Sequence, residues 1–148
     1  MTKDWRCVFL TVRRENSERA VTSPMRFDLD ERLLNFATAV CRIVSEFPGN
    51  RIGIHIAGQL VRSGTAPAAH YAEAQGAESR RDFVHKLRLA LKELRESLVW
   101  LCLARRTGLA TDRPIELAVR ECQELIAILA TSIRTARRNA KPATRNAP

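Results

Sequence analysis

Four segments with apolar residues at helical spacing, joined by short connections, constrain the fold of this chain more than any other feature. They begin at Asp28 or Asp30, near Arg51, after Ser79 and at Asp112. The apolar repeat of the second segment is Ile52, Ile56, Leu60, Ser63, Pro67, Tyr71 and Ala74, and that of the third is Phe83, Leu87, Ala90, Leu94, Leu98 and Leu101. Short connections make sequential helices antiparallel, so we expect an all-α, antiparallel up-down-up-down four-helix bundle.

The length of 148 residues is typical of one domain, and the four segments set its boundaries. We expect a flexible arm over residues 1–24, the bundle over 25–138 and a disordered basic tail over 139–148, because both ends lack an apolar repeat. No apolar run approaches the roughly 20 residues that a membrane span needs. The sequence therefore predicts a cytoplasmic protein with no membrane contact.

Side chains that could hold a metal or cofactor are few and scattered. The four cysteines form no Cys-x-x-Cys pair, and Cys41, Cys102 and Cys122 fall on or beside apolar helical positions, where we expect buried thiols. No Glu-x-x-His occurs, which argues against a di-iron site, and the sequence SGTAP lacks the lysine of a phosphate-binding loop. We therefore predict no metal, no cofactor, no small-molecule substrate and no enzymatic activity.

Positive charge is concentrated on the third segment and the tail. The net charge is +9, and residues 80–108 hold eight Lys or Arg against three Asp or Glu. On a helical wheel, a row opposite the apolar repeat lies within about 40° of one line and consists of Arg81, His85, Arg88, Lys92, Arg95 and Arg106. We call this row the basic ridge.

The basic ridge has the geometry of a phosphate-contacting surface. We predict that it binds nucleic acid, RNA or DNA, and that the phosphate contacts are Arg81, Arg88, Lys92, Arg95 and Arg106. Two alternatives stay open, since any surface helix has a solvated face and a basic row also attracts an acidic protein partner.

Two large apolar residues of the third segment, Leu89 and Trp100, lie outside both the apolar repeat and the basic ridge. Apolar side chains away from the core are typical of subunit contacts. Isolated exposed apolar residues are also common in monomers. We therefore expect these two residues at a subunit interface, with ordinary surface positions as the alternative.

The second and third segments match a longer pattern. The second segment matches the helix pattern Q-x-x-R-[SA]-[GA]-x-S-[IV]-x-x-N-[IY]-x-E-[AG] at Gln59, Arg62, Ser63, Gly64, Tyr71, Glu73 and Ala74. The third segment matches the helix that follows in this pattern at Asp82, Phe83, Lys92, Glu93, Leu94 and Glu96. These residues resemble the 23S rRNA intervening-sequence-encoded four-helix bundle family, over about residues 29–133. The chain departs from the pattern at Ala66, Pro67 and His70.

The resemblance implies an antiparallel bundle that assembles as a cyclic homo-oligomer, commonly a homopentamer. Related bacterial proteins are accessory factors of diversity-generating retroelements, which implies nucleic acid and a reverse transcriptase as partners. Arg62 and Glu73 lie about 16 Å apart along one helix, so each needs a partner on another helix or subunit. We expect them, with Gln59 and Tyr71, to fix the register of the bundle or the oligomer.

An enzymatic alternative depends on the sequence RRDFVH, in which Arg80 and His85 have the Arg-x4-His spacing of HEPN-type ribonucleases. Those helical proteins cleave RNA without metal, by acid–base catalysis and phosphate stabilisation. The motif is short, arises by chance in an Arg-rich chain, and lies here at the start of the third helix rather than toward the last. A purely structural or protein-interaction module is a further alternative to the non-enzymatic nucleic-acid-binding protein that the sequence favours.

Overall fold

The computed structural model describes residues 29–138, which form four α-helices. They are α1, Leu29–Ser45; α2, Arg51–Gln75; α3, Arg80–Arg106; and α4, Asp112–Arg138. No strand occurs among residues 29–138, so the all-α class and the four helical segments are confirmed. The predicted arm over residues 1–24, the predicted tail over 139–148 and residues 25–28 lie outside the described residues.

Side-chain caps and a glycine define the ends of α2 and α3. Asn50 caps α2 by accepting a hydrogen bond from the backbone N–H of Gly53 at 2.9 Å. Ser79 caps α3 in the same way, accepting from the N–H of Asp82 at 3.1 Å. Beyond α3, Gly108 has a φ of +64°, which residues with a side chain rarely adopt. The third helix therefore starts after Ser79, where the sequence predicts it.

Each helix packs against two neighbours, which makes the four helices a closed bundle. Contacts join α1 to α2, α2 to α3, α3 to α4 and α4 to α1. In contrast, α1 and α3 make no contact and lie diagonally opposite each other. The outer side of α3 therefore faces away from the rest of the bundle.

The predicted apolar repeat of α3 faces the centre of the bundle. All of its members are buried except Leu98, which is half-buried and packs against the core. The largest fully buried side chains of the bundle are Phe36, Leu33, Leu60, Leu87, Leu94, Leu101, Ile115, Leu125 and Leu129. Removing these apolar side chains from water is the main force that holds the four helices together.

The predictions that Ile52 and Cys41 lie in the interior are wrong. Ile52 is 59% exposed, because Gly53 takes the inward position in the first turn of α2. A Cβ on Gly53 would lie 2.1 Å from the carbonyl oxygen of Pro48, so the preceding connection already fills that space. Cys41 is exposed because it follows the fully buried Val40, and one helical step of about 100° turns it outward.

Cys122 is buried, as its apolar surroundings in the sequence predict. Its thiol donates a hydrogen bond to the backbone carbonyl oxygen of Leu94 at 3.2 Å and so joins α4 to α3. Burial raises the pKa of the thiol to about 12, so the group stays protonated at neutral pH. Cys102 is half-buried.

Small residues let α2 approach both of its neighbours closely. Gly64 is buried against Val40 of α1, and a Cβ on this glycine would lie 2.8 Å from one Val40 methyl carbon. On the other side of α2, the Oγ of Ser97 in α3 donates to the Oγ of Ser63 at 3.0 Å, and both serines are fully buried. Larger side chains at these positions would push the helices apart.

Arg32 joins α1 to α4 through contacts that the sequence pattern does not predict. Its guanidinium donates to both carboxylate oxygens of Glu121, at 2.7 and 2.8 Å, and to Glu124 at 2.7 Å. The Arg32 side chain is only 16% exposed. The hydrogen bond to Glu121 raises the pKa of the guanidinium further above its usual range. Because paired Arg–carboxylate bonds of this geometry are strong and directional, they fix α1 against α4.

Candidate nucleic-acid interface

The six residues of the basic ridge are all exposed on α3. Within residues 29–138, none of its Arg and Lys side chains forms an ion pair with a carboxylate. A surface that serves only solubility usually carries acidic and basic side chains interspersed with one another. The ridge therefore presents a row of positive charge that the described part of the chain does not neutralise.

The continuous part of the ridge runs from Arg81 to Arg95, which is about 21 Å along the helix. Farther along the same line, Val99 is 63% exposed and Leu103 is 38% exposed, and they separate Arg106 from the other cations. Arg106 lies in the last turn of α3, where the negative end of the helix dipole favours a cation. Its position therefore has a structural explanation that the other ridge cations lack.

The first turn of α3 holds two cations where the helix itself disfavours them. Arg80 and Arg81 lie at the positive end of the helix dipole, and Asp82 is the acidic residue of that turn. Arg81 is exposed and forms no ion pair with a carboxylate of residues 29–138, so the helix itself does not explain a cation at this position.

An open depression at the start of α3 extends the basic surface onto α4. It is lined by Ser79, Arg80, Arg81, Asp82, Val84, His85, Arg88 and Arg137. Arg137 comes from the last turn of α4 and was not among the predicted contacts. The short connection between α3 and α4 could have indicated it, because that connection brings the end of α4 beside the start of α3.

The depression also bears on the ribonuclease alternative. Arg80 and His85 both line it, so the two residues of the Arg-x4-His motif share one surface. Five residues of helix nevertheless turn their side chains about 140° apart. His85 is exposed and Arg80 is half-buried. Arg80 and His85 therefore line the same depression, but their side chains leave the helix in different directions.

Two acidic residues of α3 are held by Arg62 of α2. The Arg62 guanidinium contacts Glu96, and its Nη1 lies 3.5 Å from Glu93. Glu96 follows Lys92 by four residues, a spacing at which the two could pair. The Glu96 carboxylate instead meets Arg62 and accepts a bond from Trp100 Nε1 at 3.4 Å. Arg62 therefore helps to leave Lys92 uncompensated.

The other predicted register residues also lie on α2, where it faces α3. Glu73 accepts a hydrogen bond from Lys86 at 2.6 Å, which lowers the pKa of the Glu73 carboxyl and raises that of Lys86. Gln59 accepts from Arg62 at 3.4 Å, and Tyr71 is buried. Arg62 and Glu73 thus find their partners on α3 of the same chain, and neither needs a second subunit for its charge.

The predicted subunit-contact residues, Leu89 and Trp100, are both half-buried. Trp100 packs against the core, and its ring meets the His55 ring edge-on with centroids 5.9 Å apart. The burial of Trp100 is therefore explained within the chain, and a subunit contact at these two residues stays a prediction. Within residues 29–138, the large apolar side chains that are exposed are Leu34, Ile52, Ile54, Val99, Leu103 and Leu117.

Residues 29–138 contain neither a metal-binding cluster nor a membrane-spanning helix. No three His, Cys, Asp or Glu side chains in this range cluster closely enough to hold a metal ion. No helix in the same range combines the length and the apolar character needed to cross a bilayer. The basic ridge and its depression are therefore the best-defined candidate site in the described part of the chain.

Comparisons with known proteins agree with the four-helix fold. A family model described as 23S rRNA-intervening sequence protein matches residues 27–131. A crystal structure of a protein of unknown function, from the S23 ribosomal protein family of Bacteroides thetaiotaomicron, matches with a TM-score of 0.67 and 31% sequence identity. That match covers 72% of this chain and 98% of the other. No curated protein matches the chain significantly.

Proposed function

Because the chain belongs to the 23S rRNA-intervening sequence protein family, we propose that it is a non-enzymatic bundle whose basic ridge binds nucleic acid, RNA or DNA. The observation that carries this proposal is the row of exposed cations from Arg81 to Arg95, which no carboxylate in residues 29–138 neutralises. Arg137 widens the row at one end. Arg81 supports it further, because the helix dipole does not favour a cation in the first turn of α3.

Counterion release provides the binding free energy of such a surface. Each phosphate of duplex DNA that a Lys or Arg neutralises releases condensed cations. The logarithm of the association constant therefore falls by about 0.9 for each such contact when the salt concentration rises tenfold. Four continuous ridge cations and Arg137 would give a slope of about −4.5. Binding of this kind does not depend on base sequence, because every nucleotide carries the same phosphate.

Replacing Arg88 and Arg95 together with glutamine should weaken nucleic-acid binding by at least about tenfold and reduce the salt slope by about 1.8. Both side chains are exposed and form no ion pair with residues 29–138, so the variant should keep its fold. Fluorescence anisotropy of a labelled DNA duplex, titrated with protein at several salt concentrations, measures the affinity and the slope together.

A matched control removes the same charge from other helices. Arg42 of α1 and Arg51 of α2 are exposed, and the Arg42→Gln, Arg51→Gln variant should bind nearly as tightly as the wild type. Equal losses in the two double variants would mean that net charge, rather than the ridge, attracts nucleic acid. No binding at low salt would reject the proposal and favour the protein-interaction module.

The ribonuclease alternative differs in what it predicts for His85, which shares the basic depression with Arg80. If the pair cleaves RNA, labelled RNA is degraded without divalent metal and His85→Ala abolishes the degradation. If the ridge only binds, the RNA stays intact in both proteins. Electrophoresis of the labelled RNA after incubation separates the two outcomes, and degradation lost in the variant would replace the binding proposal.

The helices run antiparallel in up-down-up-down order in this proposal, and the chain assembles as a cyclic homo-oligomer. Cross-helix contacts support the antiparallel order, since Ser63 meets Ser97 while Glu73, later in α2, meets Lys86, earlier in α3. Exposed apolar side chains such as Val99 support assembly. The pentamer and the reverse transcriptase partner stay predictions from the family resemblance.

Arg62→Ala combined with Glu73→Ala should lower the melting temperature by a few degrees without changing the assembly. Both side chains pair with α3 of their own chain, and exposed ion pairs contribute modestly to stability. Thermal unfolding followed by circular dichroism measures the first effect, and light scattering measures the second. A smaller assembly in the double variant would instead place these two residues in the register of the oligomer.

A further inference from the structure

We propose that the basic ridge binds double-stranded nucleic acid in preference to single strands, an inference that rests on the proposed function. The two forms carry the same phosphates but differ in whether the bases are exposed and in the shape of the phosphate surface. The side chains around the ridge, the shape of α3 and the spread of its cations all match the duplex.

Fully exposed Phe, Tyr or Trp side chains, which could stack on unpaired bases, are absent from residues 29–138. The Phe, Tyr and Trp rings of this range are all buried or half-buried: Phe36, Phe47, Tyr71, Phe83 and Trp100. Proteins that hold single strands stack successive bases on such rings, and each stacked base contributes roughly 1–3 kcal/mol. The ridge itself offers only the His85 imidazole, so it lacks the main source of single-strand affinity.

The ridge follows the outer side of one helix, and the depression at its start is open to solvent rather than enclosed as a channel. The inner side of α3 is packed into the core, so the cations from Arg81 to Arg95 project outward over about 21 Å of a single helix. Single strands are held in basic grooves that follow their flexible backbone. A duplex has the complementary shape, since its grooves are bordered by phosphates and can receive a protruding helix.

The side chains of the ridge also point to two sides of its midline. At about 100° per residue, His85 and Lys92 lie on one side of the line through Arg81, and Arg88 and Arg95 lie on the other. A row that alternates in this way can reach the phosphates on both borders of a groove. A single strand would meet the cations of one side at a time and would leave the others without a phosphate.

Charge density strengthens the preference in a measurable way. The salt slope per neutralised phosphate is about −0.9 on duplex DNA and about −0.7 on a single strand. With five contacts the two slopes differ by about one, so a duplex gains about tenfold in affinity over a single strand when salt falls from about 1 M to about 0.1 M. This contribution does not depend on any base contact.

Competition between matched oligonucleotides tests the inference with the full-length chain. A labelled DNA duplex is bound at about 0.1 M salt and displaced by unlabelled duplex or by either separated strand, chosen to lack internal pairing. Anisotropy should show the duplex binding about tenfold more tightly than either strand. The Arg88→Gln, Arg95→Gln variant should lose more affinity for the duplex than for the strands, because it removes the cations of one border.

The possible outcomes separate this inference from the proposed function. Strands that bind as tightly as the duplex, or whose affinity depends strongly on base identity, would overturn the duplex preference and leave nucleic-acid binding intact. Binding of neither form at low salt would overturn both. A duplex preference that persists unchanged in the Arg88→Gln, Arg95→Gln variant would show that the duplex binds elsewhere, which would also overturn the inference.

Discussion

Gly64→Ala is expected to lower the free energy of unfolding by about 2 kcal/mol, although alanine is the better helix former. A Cβ at this position would lie 2.8 and 2.9 Å from the two methyl carbons of Val40. Val40 is fully buried and β-branched, so it cannot turn away without strain. This overpacking outweighs the roughly 1 kcal/mol that alanine gains in helix propensity. Chemical denaturation followed by circular dichroism measures the difference.

A second glycine of α2 is the matched control. Gly58 is exposed, and an added Cβ would have nothing within 4 Å, so Gly58→Ala should stabilise the protein by about 0.5–1 kcal/mol. Adding Val40→Ala to Gly64→Ala should recover part of the lost stability, because it removes both clashing methyl groups. If Gly64→Ala were as stable as the wild type, α1 would be able to move away and the close contact would not limit the fold.

Local patterns in the sequence predict the helices and the core of α3 well. Helical spacing places Leu87 and Leu94 in the core, and the distance from Ser79 to Asp82 marks the start of α3. Both signals act within a few residues of chain, where helix geometry alone decides which positions share a face. The exposure of the basic ridge follows from the same geometry, because a helix that buries one side presents the other.

Contacts between distant parts of the chain could not be predicted in the same way. Arg32 meets Glu121, 89 residues away, and this depends on how α1 and α4 are rotated about their axes. Glu96 could pair with Lys92 by spacing, yet it meets Arg62 because α2 passes on that side of α3. The helical period predicts on which side of its helix a residue lies. It does not predict which other helix packs against that side.

The division of α3 into two sides connects its fold to the proposed binding. Its inner side supplies core leucines, and its acidic residues Glu93 and Glu96 are held by Arg62 of α2. The interactions that fix α2 against α3 therefore also remove negative charge from the neighbourhood of the ridge. Stability and the proposed binding depend on different residues of the same helix, so substitutions should separate the two properties.

Leu94→Ala should lower the free energy of unfolding by about 3 kcal/mol and leave the nucleic-acid affinity of the folded protein unchanged. Leu94 is completely buried beneath the ridge, and its truncation leaves a cavity that the surrounding helices fill only in part. Its backbone carbonyl, which accepts from Cys122, is unaffected. Denaturation curves measure the stability, and anisotropy at low temperature, where the variant stays folded, measures the affinity.

Arg95→Ala, one residue farther along α3, should have the opposite effects. Arg95 is exposed and has no carboxylate partner within residues 29–138, so stability should change by less than about 0.5 kcal/mol. Its loss removes one phosphate contact and should reduce the salt slope by about 0.9. Unchanged binding in Arg95→Ala would exclude this residue from the interface. Weakened binding by folded Leu94→Ala would instead mean that the ridge depends on the packing beneath it.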